Sequence, residues 1–142
     1  MGKMMATNNQ CCTQILKKAN LSNTKTRQAI LRFLMENNGP FSINEIHEHI
    51  SHCDCTTVYR CVKKFEEYHI VEKCDFGDHI ARYEYKGDHH HHHIMCRICR
   101  KIEIVEYCFV KEMEKILEKQ GYKDVSHKLE FFGICKACQE KA

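Results

Sequence analysis

The sequence predicts an α+β protein: an N-terminal winged helix-turn-helix domain followed by a small α/β dimerisation domain with a four-cysteine zinc site. Three observations predict it. Helical periodicity with good caps fills the first half, then gives way to two short apolar stretches around a Phe76-Gly77-Asp78 turn. Two CxxC pairs, Cys96 with Cys99 and Cys135 with Cys138, bracket the last third of the chain. Between the two halves, Asp88 opens a run of histidines, His89 to His93, that leads straight into the first pair.

The elements follow in order. Residues 11–20 read as a short amphipathic helix ending at Asn20. Ser22 or Thr24 can cap a second helix, on which Ala29, Ile30, Phe33 and Leu34 recur at helical spacing. It stops in Asn37-Asn38-Gly39-Pro40, which contains the only proline. Ser42 with Glu45 forms a capping box for a third helix through about Ile50. Asp54 or Thr56 starts a fourth, with Val58, Val62, Phe65 and Tyr68 on one face. Strands are expected at 70–74 and 80–86, and Lys86-Gly87-Asp88 divides the chain into domains 1–86 and 87–142. Beyond that boundary, strands are expected at 92–96, 101–105 and 124–134. Phe109, Met113, Ile116 and Leu117 mark a helix that ends at Gly121. A unit this small needs support, which zinc and dimerisation supply; a structural Zn²⁺ contributes ~10–16 kcal/mol of apparent binding energy.

The CxxC spacing lets both thiolates of a pair reach one metal, and four sulfurs suit tetrahedral Zn²⁺. A closed sulfur shell leaves no open position for catalysis, so Cys96, Cys99, Cys135 and Cys138 read as a structural zinc site. Eleven cysteines in 142 residues, an odd and high count, favour metal chemistry in a reducing compartment over a disulfide framework. Cys11, Cys12, Cys53, Cys55, Cys61, Cys74 and Cys108 lack ligand spacing beyond Cys53-Asp54-Cys55 and read as apolar or surface fillers. On a strand, His89, His91 and His93 face one way and His90 and His92 the other, which makes two separate half-sites.

The chain has no apolar run long enough to span a membrane and no secretory segment, so a cytoplasmic protein without a membrane partner is expected. A net charge of +3 is modest, but Lys3, Lys17, Lys18, Lys25, Arg27 and Arg32 all precede the first acid, Glu36. Such a stretch suits DNA phosphates; it equally suits a solvated helix face. Thr56, Thr57, Tyr59 and Arg60 stand at the helix N-terminus, the end that a helix-turn-helix points at base edges. No Ser-His-Asp set, phosphate loop or HExxH motif is present, which argues against an enzyme and against a small organic substrate.

Four stretches together resemble the ferric uptake regulator family: Thr24-Lys25-Thr26-Arg27-Gln28-Ala29-Ile30-Leu31, Cys55-Thr56-Thr57-Val58-Tyr59-Arg60, His89 through Cys99, and Gly121 through Cys135. The resemblance implies a homodimeric bacterial repressor that binds double-stranded operator DNA when its sensing site is loaded. It implies a regulatory metal site of Glu84, His91 and His93, with Glu103 as a further member. A second site would use His90, His92 and His127, although the helix carboxylate that the family adds there aligns near Val110 or Lys111. Pro40 stands where iron and peroxide sensors supply a histidine, which favours four-coordinate Zn²⁺ over Fe²⁺ as the sensed ion, with Mn²⁺ a further candidate. Gly121 to His127 resembles zinc uptake regulators most. Lys86, however, replaces the thiolate that those sensors carry, leaving Glu72 and Cys74 as substitutes. The competing readings are an iron or peroxide sensor of the same family, and a zinc-buffering protein without specific DNA recognition.

Overall fold

The computed structural model describes residues 2–87 and 90–141, with side chains from residue 10 onward. Asp88 and His89 lie outside the described residues. The chain divides into two compact units, Met1–Lys86 and Gly87–Ala142.

The first unit runs α1 (Gly2–Lys18), α2 (Lys25–Glu36), β1 (Phe41–Ser42), α3 (Ile43–His49), α4 (Cys55–Glu67), β2 (Val71–Asp75) and β3 (Ala81–Tyr85). Its sheet has the order β1-β3-β2, antiparallel throughout. The caps explain the helix starts. Thr24 accepts from the Arg27 N–H to begin α2, and Ser42 with Glu45 closes a full capping box on α3. Leu16, Ile30, Leu31, Ile46, Val58, Val62 and Phe65 are fully buried and bring α1–α4 onto one core with Val71 and Tyr83 of the wing.

Three details differ from the sequence reading. Helix α1 extends back to Gly2, because burial of Cys12 and Leu16 docks a segment whose polar beginning carries no helical period. The two-residue β1 exists only because β3 offers it an edge. Tyr68 does not join the buried face of α4: it caps the helix, stays exposed, and lies under the Lys64 ammonium. The wing is fixed at its turn by Arg82, which donates two hydrogen bonds to Asp78 (3.1 and 2.8 Å) with its guanidinium over the Phe76 ring.

The second unit runs β4 (His92–Cys96), β5 (Ile102–Val105), α5 (Lys111–Lys119), β6 (Glu130–Gly133) and α6 (Lys136–Glu140). Central β4 pairs antiparallel with β5 and parallel with β6. The strand expected over 124–134 is confined to four residues. Pairing with β4 begins only at His93 with Glu130, so the residues before it have no ladder partner. Gly121 follows α5 at φ 102°, the left-handed conformation that suits a glycine at this place. Helix α5 buries none of its side chains. Among the described residues, no helix is long and apolar enough to cross a membrane.

Candidate metal centres and DNA-binding face

In the first unit, Asp54 caps α4, accepting from the Thr57 N–H at 2.7 Å and the Thr57 hydroxyl at 2.6 Å. Val58, Cys61, Val62 and Phe65 face the core, which leaves Thr56, Thr57, Tyr59 and Arg60 exposed at the start of the helix. The Thr57 hydroxyl is therefore committed to the cap. Lys17 and Lys18 end α1 and Lys25 begins α2; all three are exposed. The hydrogen bonds from Thr57 hold the Asp54 carboxyl below its ordinary value. A depressed carboxylate stabilises the fold above its unfolded value and loses that contribution as pH falls through the folded one. Asp54→Ala is thus expected to speed hydrogen exchange in the first turn of α4 at neutral pH. In the native protein, the same turn should loosen only as acid protonates Asp54.

The carboxylate candidate on the wing, Glu84, is buried on β3, and the Cys74 thiol on β2 donates to its Oε1 at 3.8 Å. Cys74 is buried too, and it meets Glu84 diagonally, since the register pairs Cys74 with Arg82 and Glu84 with Glu72, which is exposed. Gly39, next to Pro40, lies so close that a Cβ there would meet the Glu84 Cβ at 3.1 Å.

In the second unit, the alternation around β4 separates the histidines into two sets. His91 and His93 hold their rings together at 5.0 Å between centroids. On the other side, His90, His92 and His127 converge: their Nε2 atoms lie 3.0, 3.0 and 3.1 Å apart. Each outer nitrogen of two rings has a partner: His92 Nδ1 donates to the Leu129 carbonyl at 3.0 Å, and His127 Nδ1 to the Glu114 carboxylate at 2.5 Å. Burial, with the neighbouring imidazoles, pushes His90 and His92 below the usual histidine range, which keeps them in the neutral form a metal needs. Cys108 completes the group, with all donor atoms within 4.8 Å of one another. By sequence, Cys108 has no ligand spacing, and the position of the family's helix carboxylate aligns near Val110 or Lys111, neither of which supplies one. Glu114 instead approaches from the first turn of α5.

Glu103, the further member that the resemblance implies, stands apart from His93. It is in register with Ile94, so it points to the opposite face of the sheet from His93, and it is exposed in an ion pair with Lys101 at 2.9 Å.

The four cysteines meet at the far end of the same sheet. Cys96 ends β4, Cys99 lies in the turn after it, Cys135 caps α6 and Cys138 sits inside that helix. Their sulfurs all lie within 4.8 Å of one another. Cys99 and Cys135 are 3.8 Å apart, matching the ~3.8 Å edge of a tetrahedron with Zn–S bonds of ~2.3 Å. The Cys135 N–H donates to Cys96 Sγ at 3.4 Å; this and the Cys99 N–H pull the Cys96 thiol down to about 6. Hydrogen bonding with Cys135, together with desolvation, pushes Cys138 up to about 12. The donor set fits a structural zinc ion: one sulfur is already poised as a thiolate, and the others release their protons on binding.

The profile of the ferric uptake regulator family matches residues 18–132. The chain is 32% identical over 131 residues to the peroxide-responsive repressor PerR of Staphylococcus aureus strain Mu50, spanning 89% of this chain and 88% of that protein. Among solved structures, the ferric uptake regulator Fur of Helicobacter pylori gives a TM-score of 0.74 at 24% identity, covering 94% of this chain and 93% of the other, a likeness of fold. A zinc-bound manganese uptake regulator gives a TM-score of 0.69 at 25% identity, covering 87% and 98%.

Proposed function

Because this chain belongs to the ferric uptake regulator family, whose members are metal-responsive, DNA-binding transcription regulators and not enzymes, we propose that it is a metal-dependent repressor that binds operator DNA as a homodimer. The observation that carries the reading is the exposed polar start of α4, with Thr56, Tyr59 and Arg60 on a winged-helix unit, in a chain that also assembles clusters of metal-ligand side chains. The dimer is supported by apolar side chains left exposed on the second unit: Tyr107, Phe109, Met113, Ile116, Phe131 and Phe132. A second copy would bury part of this apolar surface, as a domain this small requires.

The sensed metal is assigned to Glu84, His91 and His93, the core of the set that the family resemblance implies. Local supports are the burial of Glu84 beside Cys74 and the paired rings of His91 and His93. These groups come from both sides of Gly87, so binding them together selects one arrangement of the two units. Metal can act as a corepressor only through such a difference in affinity between arrangements. Zinc is the preferred ion, because Pro40 contributes no imidazole and the nearby thiol is a soft donor. The peroxide-responsive relative motivates the iron reading, and titration with Zn²⁺, Fe²⁺ and Mn²⁺ in parallel decides between them.

His91→Ala and His93→Ala are expected to keep the cysteine-bound zinc and the dimer while abolishing metal-dependent operator binding. The measurement is fluorescence anisotropy on an operator duplex with and without added metal, alongside zinc content and sedimentation. If both variants still gain operator affinity with metal, the sensor lies elsewhere. A zinc buffer would show no specific duplex binding under any metal.

A further inference from the structure

Cys108 lies outside every ligand set that the sequence implies, yet its Sγ is 3.2 Å from His92 Nε2 and 3.5 Å from His127 Nε2. The proton positions in this cluster are constrained from outside. His92 Nδ1 faces a carbonyl oxygen and His127 Nδ1 faces a carboxylate, so both carry their hydrogen there. In the neutral rings, the two Nε2 lone pairs then point inward at each other across 3.1 Å, with His90 Nε2 at 3.0 Å from both. Converging lone pairs repel unless a hydrogen donated by His90 or Cys108, or a cation, sits between them, and a cation satisfies all four donor atoms at once. A tetrahedral ion with bonds of ~2.0 Å to nitrogen and ~2.3 Å to sulfur needs N–N edges of ~3.3 Å and N–S edges of ~3.5 Å. The three N–N edges and the two edges from Cys108 to His92 and His127 are within a few tenths of an ångström of that shape, and the His90–Cys108 edge is within 4.8 Å.

We propose that Cys108 closes this cluster as a thiolate, making a four-coordinate centre of three imidazoles and one sulfur for a zinc-class ion, and that loading it ties α5 to the sheet. It deepens the metal-regulator reading and rests on it for its purpose. The thiolate decides the metal class. Three imidazoles alone accept several first-row ions, whereas adding a soft sulfur favours Zn²⁺ and Co²⁺ over Mn²⁺. Glu114 is a positioning residue: it holds the His127 tautomer and leaves the metal to Nε2. The tie to α5 follows from placement. That helix buries no side chain of its own. Cys108 lies in the connection before it, His127 in the connection after it, and Glu114 on the helix itself, while His90 and His92 belong to the β4 side. Exposed Phe109, Met113 and Ile116 move with it.

The test is Co²⁺ titration of the full chain with the cysteine-bound zinc left in place, followed by absorption. The Cys74→Ser/His91→Ala protein, in which the separate Glu84, His91 and His93 set is disabled, is expected to show a sulfur-to-cobalt charge-transfer band and intense tetrahedral ligand-field bands, saturating at one equivalent and displaced by Zn²⁺ but not by Mn²⁺. Cys108→Ser loses the charge-transfer band. Cys108→Asp, which keeps a ligand if the serine variant folds poorly, retains the metal and loses the band. Glu114→Gln keeps the band with affinity weakened ~10–100-fold. Hydrogen exchange of the α5 amides slows on loading in the native protein and not in Cys108→Ser. Persistence of the band in Cys108→Ser, its absence from the Cys74→Ser/His91→Ala background, displacement by Mn²⁺, or α5 exchange indifferent to loading would each overturn the proposal. Failure of the repressor reading shows separately, as absent operator binding with this spectrum intact.

Discussion

Cys138→Ser is expected to lose one equivalent of tightly held Zn²⁺ and the dimer together. Cys138 is one of four sulfurs that gather the end of β4, the turn after it and the start of α6 into a single point. Nothing else among the described residues holds that end with comparable strength. The sheet has three short strands, the exposed residues Ile98, Phe131, Phe132 and Ile134 surround it, and α5 contributes no buried side chain. With three thiolates left, the ion is bound far more weakly, and the folding energy that it supplies goes with it. The second unit should then melt at a lower temperature than the first, as a separate and earlier thermal transition. Zinc content by elemental analysis and mass by sedimentation equilibrium check the result. A Cys138→Ser protein that stayed dimeric with its zinc retained would remove Cys138 from the centre.

Arg60→Ala and Tyr59→Ala should weaken operator binding without changing metal affinity in the free dimer. Both side chains are exposed on α4, one helical step from the buried Val58, Cys61 and Val62 that anchor the helix, so truncation leaves the core intact. A base-reading Arg60 costs ~1–3 kcal/mol per half-site and relaxes sequence preference. A phosphate-gripping Arg60 weakens operator and random duplexes alike and lowers the slope of affinity against salt. Lys17, Lys18 and Lys25 should behave only in the second way. Affinities for both duplexes, measured across a salt series at saturating metal, separate the two modes. Unchanged operator affinity in both variants would mean that α4 is not the reading helix.

Local chemistry made much of this molecule legible in advance. The capping box at Ser42 and Glu45, the Thr24 cap, the break at Pro40 and the Gly121 stop all act within a few residues, and each appears where its residues stand. Alternation did the same for the histidines, because a strand turns successive side chains to opposite faces whatever surrounds it. The CxxC pairs gave a donor set whose spacing carries its own meaning. Errors arose where an element depends on a partner distant in sequence. The expected strand over 124–134 ends where β4 ceases to offer hydrogen bonds, and α1 extends where the core accepts Cys12 and Leu16.

The sequence by itself determined the winged-helix unit, the sulfur centre and the two-sided histidine run, because short-range periodicity and spacing suffice for these. Only the tertiary structure decided which of these side chains come together. Glu103 is turned away from His93 by register, since one residue along a strand reverses the face. Cys108 and Glu114 join His90, His92 and His127 because the connections at both ends of α5 return to β4, across 35 to 37 residues of chain for the histidines. No local spacing encodes such a meeting. It exists only once the sheet has paired.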